Sequence, residues 1–161
     1  MKTSPPKRIL IIKPSSLGDI IHSLPFLKAI RDSFPEACIE WVVSKKLKGI
    51  LEGHHLINNL IIFNKDEWGQ FKDISKTAGE IFALIKAIRA RSFDLVIDLQ
   101  GLLRSGIISF FASAPVKIGF EEAREGSRFF YNKRVSVNGS LHAVDKYLEI
   151  AKAILTVDSR Q

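Results

Sequence analysis

The chain has 161 residues, 46% of them hydrophobic, 25% charged and 9% aromatic, an ordinary globular composition long enough to bury one core. Its 24 Lys and Arg outweigh 17 Asp and Glu, and the formal charge of +7 suits an anionic partner: a phosphorylated small molecule, nucleic acid or an acidic membrane surface. The single cysteine, Cys38, excludes an intramolecular disulfide and a Cys-rich zinc site, fits a reducing compartment, and reads as a buried strand residue.

Much of the excess charge sits in residues 1–31, where Lys2, Lys7, Arg8, Lys13, Lys28 and Arg31 face only Asp19. No helix-turn-helix, zinc or RNP-type signature accompanies it, and aromatics are not interleaved with the cations, which argues against nucleic acid. No apolar run approaches the ~18 residues of a transmembrane helix, and Ile9 to Ile12 is too short for a signal-peptide core. The expectation is a cytoplasmic protein that touches a membrane at most peripherally.

After a polar tail, Arg8 to Lys13 reads as a short apolar strand covered on both faces, ending at Pro14-Ser15-Ser16-Leu17-Gly18-Asp19. Ile20, Ile21, Leu24, Leu27, Ile30 and Phe34 recur at helical spacing, so a helix follows that begins near Ser23 or kinks at Pro25, and Pro35 closes it. Cys38 to Ser44 is a second strand, Lys45 to Glu52 a short helix and Leu60 to Phe63 a third strand. Asn64 to Phe71 reads as an irregular connection, and Ile74, Ala78, Ile81, Ile85 and Ile88 stripe a long helix. Phe93 to Leu99 is a fourth strand, Leu102 to Ser113 a helix, Val116 to Gly119 a fifth strand, and Val144 to Leu155 a terminal helix. This alternation predicts a single α/β domain, a doubly wound, mostly parallel, Rossmann-like sheet of order 3-2-1-4-5, with its crevice beyond the carboxyl ends of the strands.

Two loops meet that crevice: Ser15 to Asp19 after the first strand and Asp98 to Gly101 after the fourth. Neither a dinucleotide fingerprint nor a P-loop is present, which disfavours dehydrogenase and NTPase readings. Asp19 is either a general base for a bound hydroxyl or a first-turn carboxylate favoured by the helix dipole. Ser15 and Ser16 either bind a sugar or anionic group or cap the helix, and Gly18 allows close approach of backbone or ligand. Asp98 is either a polar group of the crevice or a cap for the next helix, and Gln100 and Gly101 are similarly divided. Arg124, Arg128, Lys133 and Arg134 can clamp a carboxylate or phosphate, or pair with Glu121, Glu122 and Glu125. His22 and His142 lack metal-ligand spacing, and the adjacent His54 and His55 are expected to point apart, so no metal site is predicted.

The run Lys13-Pro14-Ser15-Ser16-Leu17-Gly18-Asp19-Ile20-Ile21-His22-Ser23-Leu24-Pro25 resembles the opening motif of the lipopolysaccharide heptosyltransferases, glycosyltransferase family nine. The likeness continues through Glu40 to Val43, Phe93 to Leu102, Ala123 to Glu125, Phe130 to Asn132 and His142 to Val144. It implies the N-terminal, acceptor-binding half of a two-domain GT-B enzyme, without the C-terminal nucleotide-sugar domain. The implied reaction is an inverting transfer that needs no metal or cofactor. In it Asp19 takes the proton of an acceptor hydroxyl on a Kdo-bearing lipid A core, while that oxygen displaces ADP from ADP-heptose. By the same resemblance Ser15, Ser16 and Gly18 shape the acceptor side of the cleft, Gln100 and Gly101 its neighbouring wall, and Arg124 takes a sugar carboxylate. Such a half is expected not to turn over alone. The connection after the third strand departs from the family's dense Arg and Lys run, with Lys65-Asp66-Glu67-Trp68-Gly69-Gln70 and only Lys72 and Lys76 beyond. The rival reading is a non-catalytic module of the same fold that binds an anionic glycolipid or a protein.

Overall fold

A computed structural model describes residues 4–63 and 74–159. The elements are β1 (Arg8–Ile12), α1 (Leu17–His22), α2 (Leu24–Ser33), β2 (Cys38–Ser44), α3 (Lys48–Leu51), β3 (Asn59–Phe63), α4 (Ile74–Arg89), β4 (Leu95–Asp98), α5 (Leu103–Phe111), β5 (Val116–Phe120), β6 (Lys133–Val135) and α6 (Ala143–Ser159). Single 3-10 turns occupy Lys45–Leu47 and Ser127–Phe130. The expected Asn64 to Phe71 connection and the Lys65 to Lys72 segment lie outside the described residues, as does the side chain of Lys76.

The strands form one sheet, ordered β3-β2-β1-β4-β5-β6, with every neighbouring pair parallel. β1 runs through its centre, and Ile9 to Ile12 are all fully buried, as a strand covered on both faces requires. Ile9 and Ile11 point to one face, into a core with Ile20 of α1, Phe26, Leu27 and Ile30 of α2, and Ile150 of α6. Leu10 and Ile12 point to the other, against Ile88 of α4 and Ile108 of α5. Each such side chain contributes about 1.5–3 kcal/mol of burial.

One sequence expectation is refined and three are corrected. The helix after β1 is two helices that meet at Ser23, whose buried hydroxyl donates to the Ile20 carbonyl at 2.7 Å. Pro25 occupies the first turn of α2, where a missing N–H costs nothing. A sixth strand, β6, extends the expected order beyond β5; it has only three residues, two of them cationic, too short for an alternating pattern to be read. The rings of His54 and His55 stack, with centroids 5.1 Å apart and planes 11° from parallel, rather than diverging. Cys38, expected to be buried, is half-buried at the first position of β2.

Long-range polar anchors hold the ends of elements. Arg31 closes α2, donating to the carbonyls of Pro35 (2.9 Å), Ala37 (2.7 Å) and Leu56 (2.9 Å). Glu40, fully buried in β2, pairs with Arg8 at 2.5 Å and Arg91 at 2.9 Å, so its charge is compensated from two directions.

Candidate active site

In the sheet register Ile12 lies between Val42 and Asp98, so the loops after β1 and β4 leave the sheet side by side, at the point where the connections reverse direction. Asp98 is fully buried and organises the second loop: Oδ1 accepts the backbone N–H groups of Gln100 (2.8 Å) and Gly101 (3.1 Å), and Oδ2 accepts the Tyr131 hydroxyl at 2.7 Å. Burial pushes the Asp98 carboxyl up, against the opposing effect of these hydrogen bonds. Asp98 therefore takes neither of the two roles read from the sequence: it does not line the cleft or cap α5, whose N-cap is Leu102, and instead organises the turn after β4. Gly101 has φ of +66°, a left-handed conformation that favours glycine. Its carbonyl accepts the Arg124 N–H at 2.9 Å, tying the β4 loop to the connection after β5.

These loops and α6 enclose an open cleft of about 360 Å³. Asp19, Gln100, Gly101 and Arg124 all line it, joined by Lys13, Glu122, Lys146 and Tyr147. Ser15, Ser16 and Gly18 are beside the cleft without lining it. Ser16 serves the helix start: its N–H and hydroxyl both donate to Asp19 Oδ2, at 3.2 and 3.1 Å. Gly18 is exposed with open space around it, so no close approach within the chain requires glycine there.

Asp19 thus realises the first-turn carboxylate expected of it and still faces the cleft. Oδ2 is held by Ser16 and by the Lys13 ammonium at 3.5 Å, whereas Oδ1 takes no hydrogen bond among the described residues. Partial burial pushes the carboxyl up, but the Lys13 charge and the Ser16 hydrogen bonds outweigh it and hold Asp19 below its usual range. It is therefore an anion across neutral pH, with 39% of its side chain exposed.

The basic cluster divides. Arg128 and Arg134 both lie against Glu121, at 4.0 and 3.3 Å, as an ion-pair surface. Lys133 and Arg134 belong to β6, while Glu125 accepts the Leu103 N–H and Glu122 accepts the Ser136 hydroxyl. Arg124 is exposed on the cleft and has no ion pair among the described residues. Of this group it alone keeps its guanidinium fork open to an anion in the cleft. His22 and His142, far apart in sequence, meet edge to face with centroids 4.9 Å apart.

Lys13 and Tyr147 are the site residues that sequence reasoning missed. A lysine directly after an apolar strand is a weak signal, and Tyr147 is indistinguishable from its neighbours in the apolar stripe of α6. Only the fold sets the Lys13 ammonium over the Tyr147 ring, 5.4 Å from its centroid.

Residues 81–161 match the model of glycosyltransferase family 9 (heptosyltransferase). The chain is 29% identical over 154 residues to the lipopolysaccharide core heptosyltransferase OpsX of Haemophilus influenzae, an alignment covering 94% of this chain and 42% of that protein. It is 31% identical over 146 residues to lipopolysaccharide heptosyltransferase 1 of Escherichia coli K12, covering 89% of this chain and 46% of the relative. Among solved structures, E. coli heptosyltransferase WaaC with ADP-2-deoxy-2-fluoro heptose superposes with a TM-score of 0.84 at 31% identity, over 92% of this chain and 48% of that one. The chain spans under half the length of each of these three proteins. The family match and the parallel sheet shared with WaaC agree, and the chain belongs to glycosyltransferase family 9, the heptosyltransferases.

Proposed function

We propose that this chain is the acceptor-binding half of an inverting heptosyltransferase, with Asp19 as general base. The observation that carries this reading is the Asp19 carboxylate itself: one oxygen is fixed by Ser16 and Lys13, and the other is open at the mouth of a cleft walled by Gln100, Gly101 and Arg124. An ionised carboxylate so held can accept the proton of a bound hydroxyl within hydrogen-bond reach. The acceptor oxygen forms the new bond to the anomeric carbon of heptose, and its proton passes to Asp19. The bond from that carbon to the diphosphate oxygen breaks, and its electron pair leaves with ADP. No metal or cofactor enters the step.

The acceptor is a Kdo-bearing lipid A core, whose sugar carboxylate suits the Arg124 fork. The donor is ADP-heptose, in keeping with the donor analogue bound in the WaaC structure. This reading assigns the donor site to the portion of the relatives that the alignments do not cover. A lipid-borne acceptor sets the reaction at the inner face of the bacterial inner membrane, and a charge of +7 favours that anionic surface.

NMR titration of the chain with a soluble Kdo-containing acceptor, and separately with an ADP-sugar, tests the reading. The acceptor is expected to shift the amides of Asp19, Gln100 and Arg124, and the ADP-sugar to leave them unmoved. Silence towards the acceptor would favour a non-catalytic module. Fused to the part of E. coli heptosyltransferase 1 that it does not cover, the chain is expected to transfer heptose, and Asp19→Ala to abolish transfer.

A further inference from the structure

Lys13 is the most deeply placed charge of the cleft: its side chain is 4% exposed. Its ammonium lies 3.5 Å from Asp19 Oδ2, 3.4 Å from the Leu99 carbonyl and 5.4 Å from the centre of the Tyr147 ring. These partners come from α1, the end of β4 and α6, so one cation joins the three walls that meet behind Asp19. Its own carbonyl accepts the indole N–H of the buried Trp41 at 3.2 Å, which fixes the backbone from which the side chain departs.

Resting on the reading of Asp19 as the base, we propose that Lys13 is a positioning residue for transfer: its buried ammonium anchors one oxygen of the Asp19 carboxylate and leaves the other aimed at the acceptor. The pair also makes the base a transient proton holder. When Asp19 accepts the acceptor proton, Lys13 loses its counter-charge inside a poorly solvated wall, and the proton is driven back out to solvent once product forms. Burial pushes the Lys13 ammonium down, with Asp19 and Asp98 opposing that shift. Burying the ammonium costs stability that its pairing with Asp19 offsets, and removing one member alone strands the other, a cost softened here because the Asp19 side chain is 39% exposed. Other charged and titratable groups face the pair: Lys146 and Tyr147 on α6, Glu122 and Arg124 after β5, and Asp98 on β4.

The test is a paired titration of the 161-residue chain, reading the Asp19 carboxyl by carbon NMR and the Lys13 amine by nitrogen NMR. Electrostatic coupling is reciprocal, so Lys13→Met is expected to move the Asp19 midpoint to higher pH, and Asp19→Asn to move the Lys13 midpoint to lower pH. Both midpoints staying where they are in the unsubstituted chain would overturn the proposal. Should Lys13→Met fail to fold, Asp19→Asn, a change on a part-exposed first turn, decides alone through the Lys13 midpoint. In the fused enzyme the acid limb of the kcat/KM profile is expected to move upward with Lys13→Met and to stay low with the charged Lys13→Arg. An unmoved acid limb with Lys13→Met also overturns it. Transfer surviving Asp19→Asn would remove the base and leave the charge coupling standing. Uncoupled midpoints with an inactive Asp19→Asn would remove the Lys13 role and leave the base.

Discussion

Asp98 and Asp19 end or follow neighbouring strands, carry the same side chain, and are set apart entirely by their surroundings. The Asp98 carboxylate is spent on the turn after β4 and on Tyr131. Asp98→Ala leaves a buried and a part-buried N–H group and a buried hydroxyl unpaired and is expected to cost about 2–3 kcal/mol in a thermal or denaturant melt. Asp98→Asn keeps an acceptor for the turn and carries no charge, so it is expected to cost under about 1 kcal/mol, in line with burial favouring the neutral form. At the open end of the cleft, Arg124→Ala is expected to weaken binding of a Kdo-containing acceptor about tenfold or more without lowering the melting temperature. Arg124→Lys should restore little, because a point charge lacks the planar fork. The sequence left each of these residues with two readings. Deciding their roles needed burial and partners, such as Tyr131 for Asp98, that sit tens of positions away.

At the scale of elements, apolar periodicity located every strand and helix that is long and clearly patterned, and it failed where an element is short or interrupted. The α1–α2 break depends on Ser23 and Pro25, and β6 is recognisable only from its pairing with Ile118 to Phe120. β5 gives an element-scale test. A Cβ on Gly119 would lie 2.4 Å from the Tyr131 ring, because the ring packs flat against the strand there. Gly119→Ala must displace Tyr131 from Asp98, and a loss of about 1–3 kcal/mol for overpacking, with about 1 kcal/mol more for the hydrogen bond, is expected in denaturant unfolding.

For the molecule as a whole, pH dependence follows from the Asp19 pair. The folded value of Asp19 is depressed, so its contribution is present above the unfolded carboxylate value, near pH 4, and is lost as pH falls through the folded value. The chain and its Asp19→Asn variant are expected to differ by under about 1 kcal/mol at neutral pH, since the carboxylate is part-exposed, and to converge in acid; melts across pH check this. Leu17 (50% exposed) and Ile21 (48%) lie one turn apart on α1, and Leu103 (41%) begins α5, both helices that start beside the cleft. Exposed apolar surface of this kind predicts concentration-dependent self-association of the isolated chain, and sedimentation equilibrium should read it as weakened by Ile21→Lys.

By itself the sequence determined the α/β class, the five longer strands in their order, and the family likeness through the run from Lys13 to Pro25. Those properties are carried by local periodicity and by contiguous residues. The tertiary structure alone decided that Asp98 turns inward while Asp19 faces the cleft, that Arg124 stays open while Arg128 and Arg134 pair with Glu121, and that Lys13 stands behind Asp19. Each of these depends on which distant side chain arrives at a buried or exposed position, and chain spacing does not encode that.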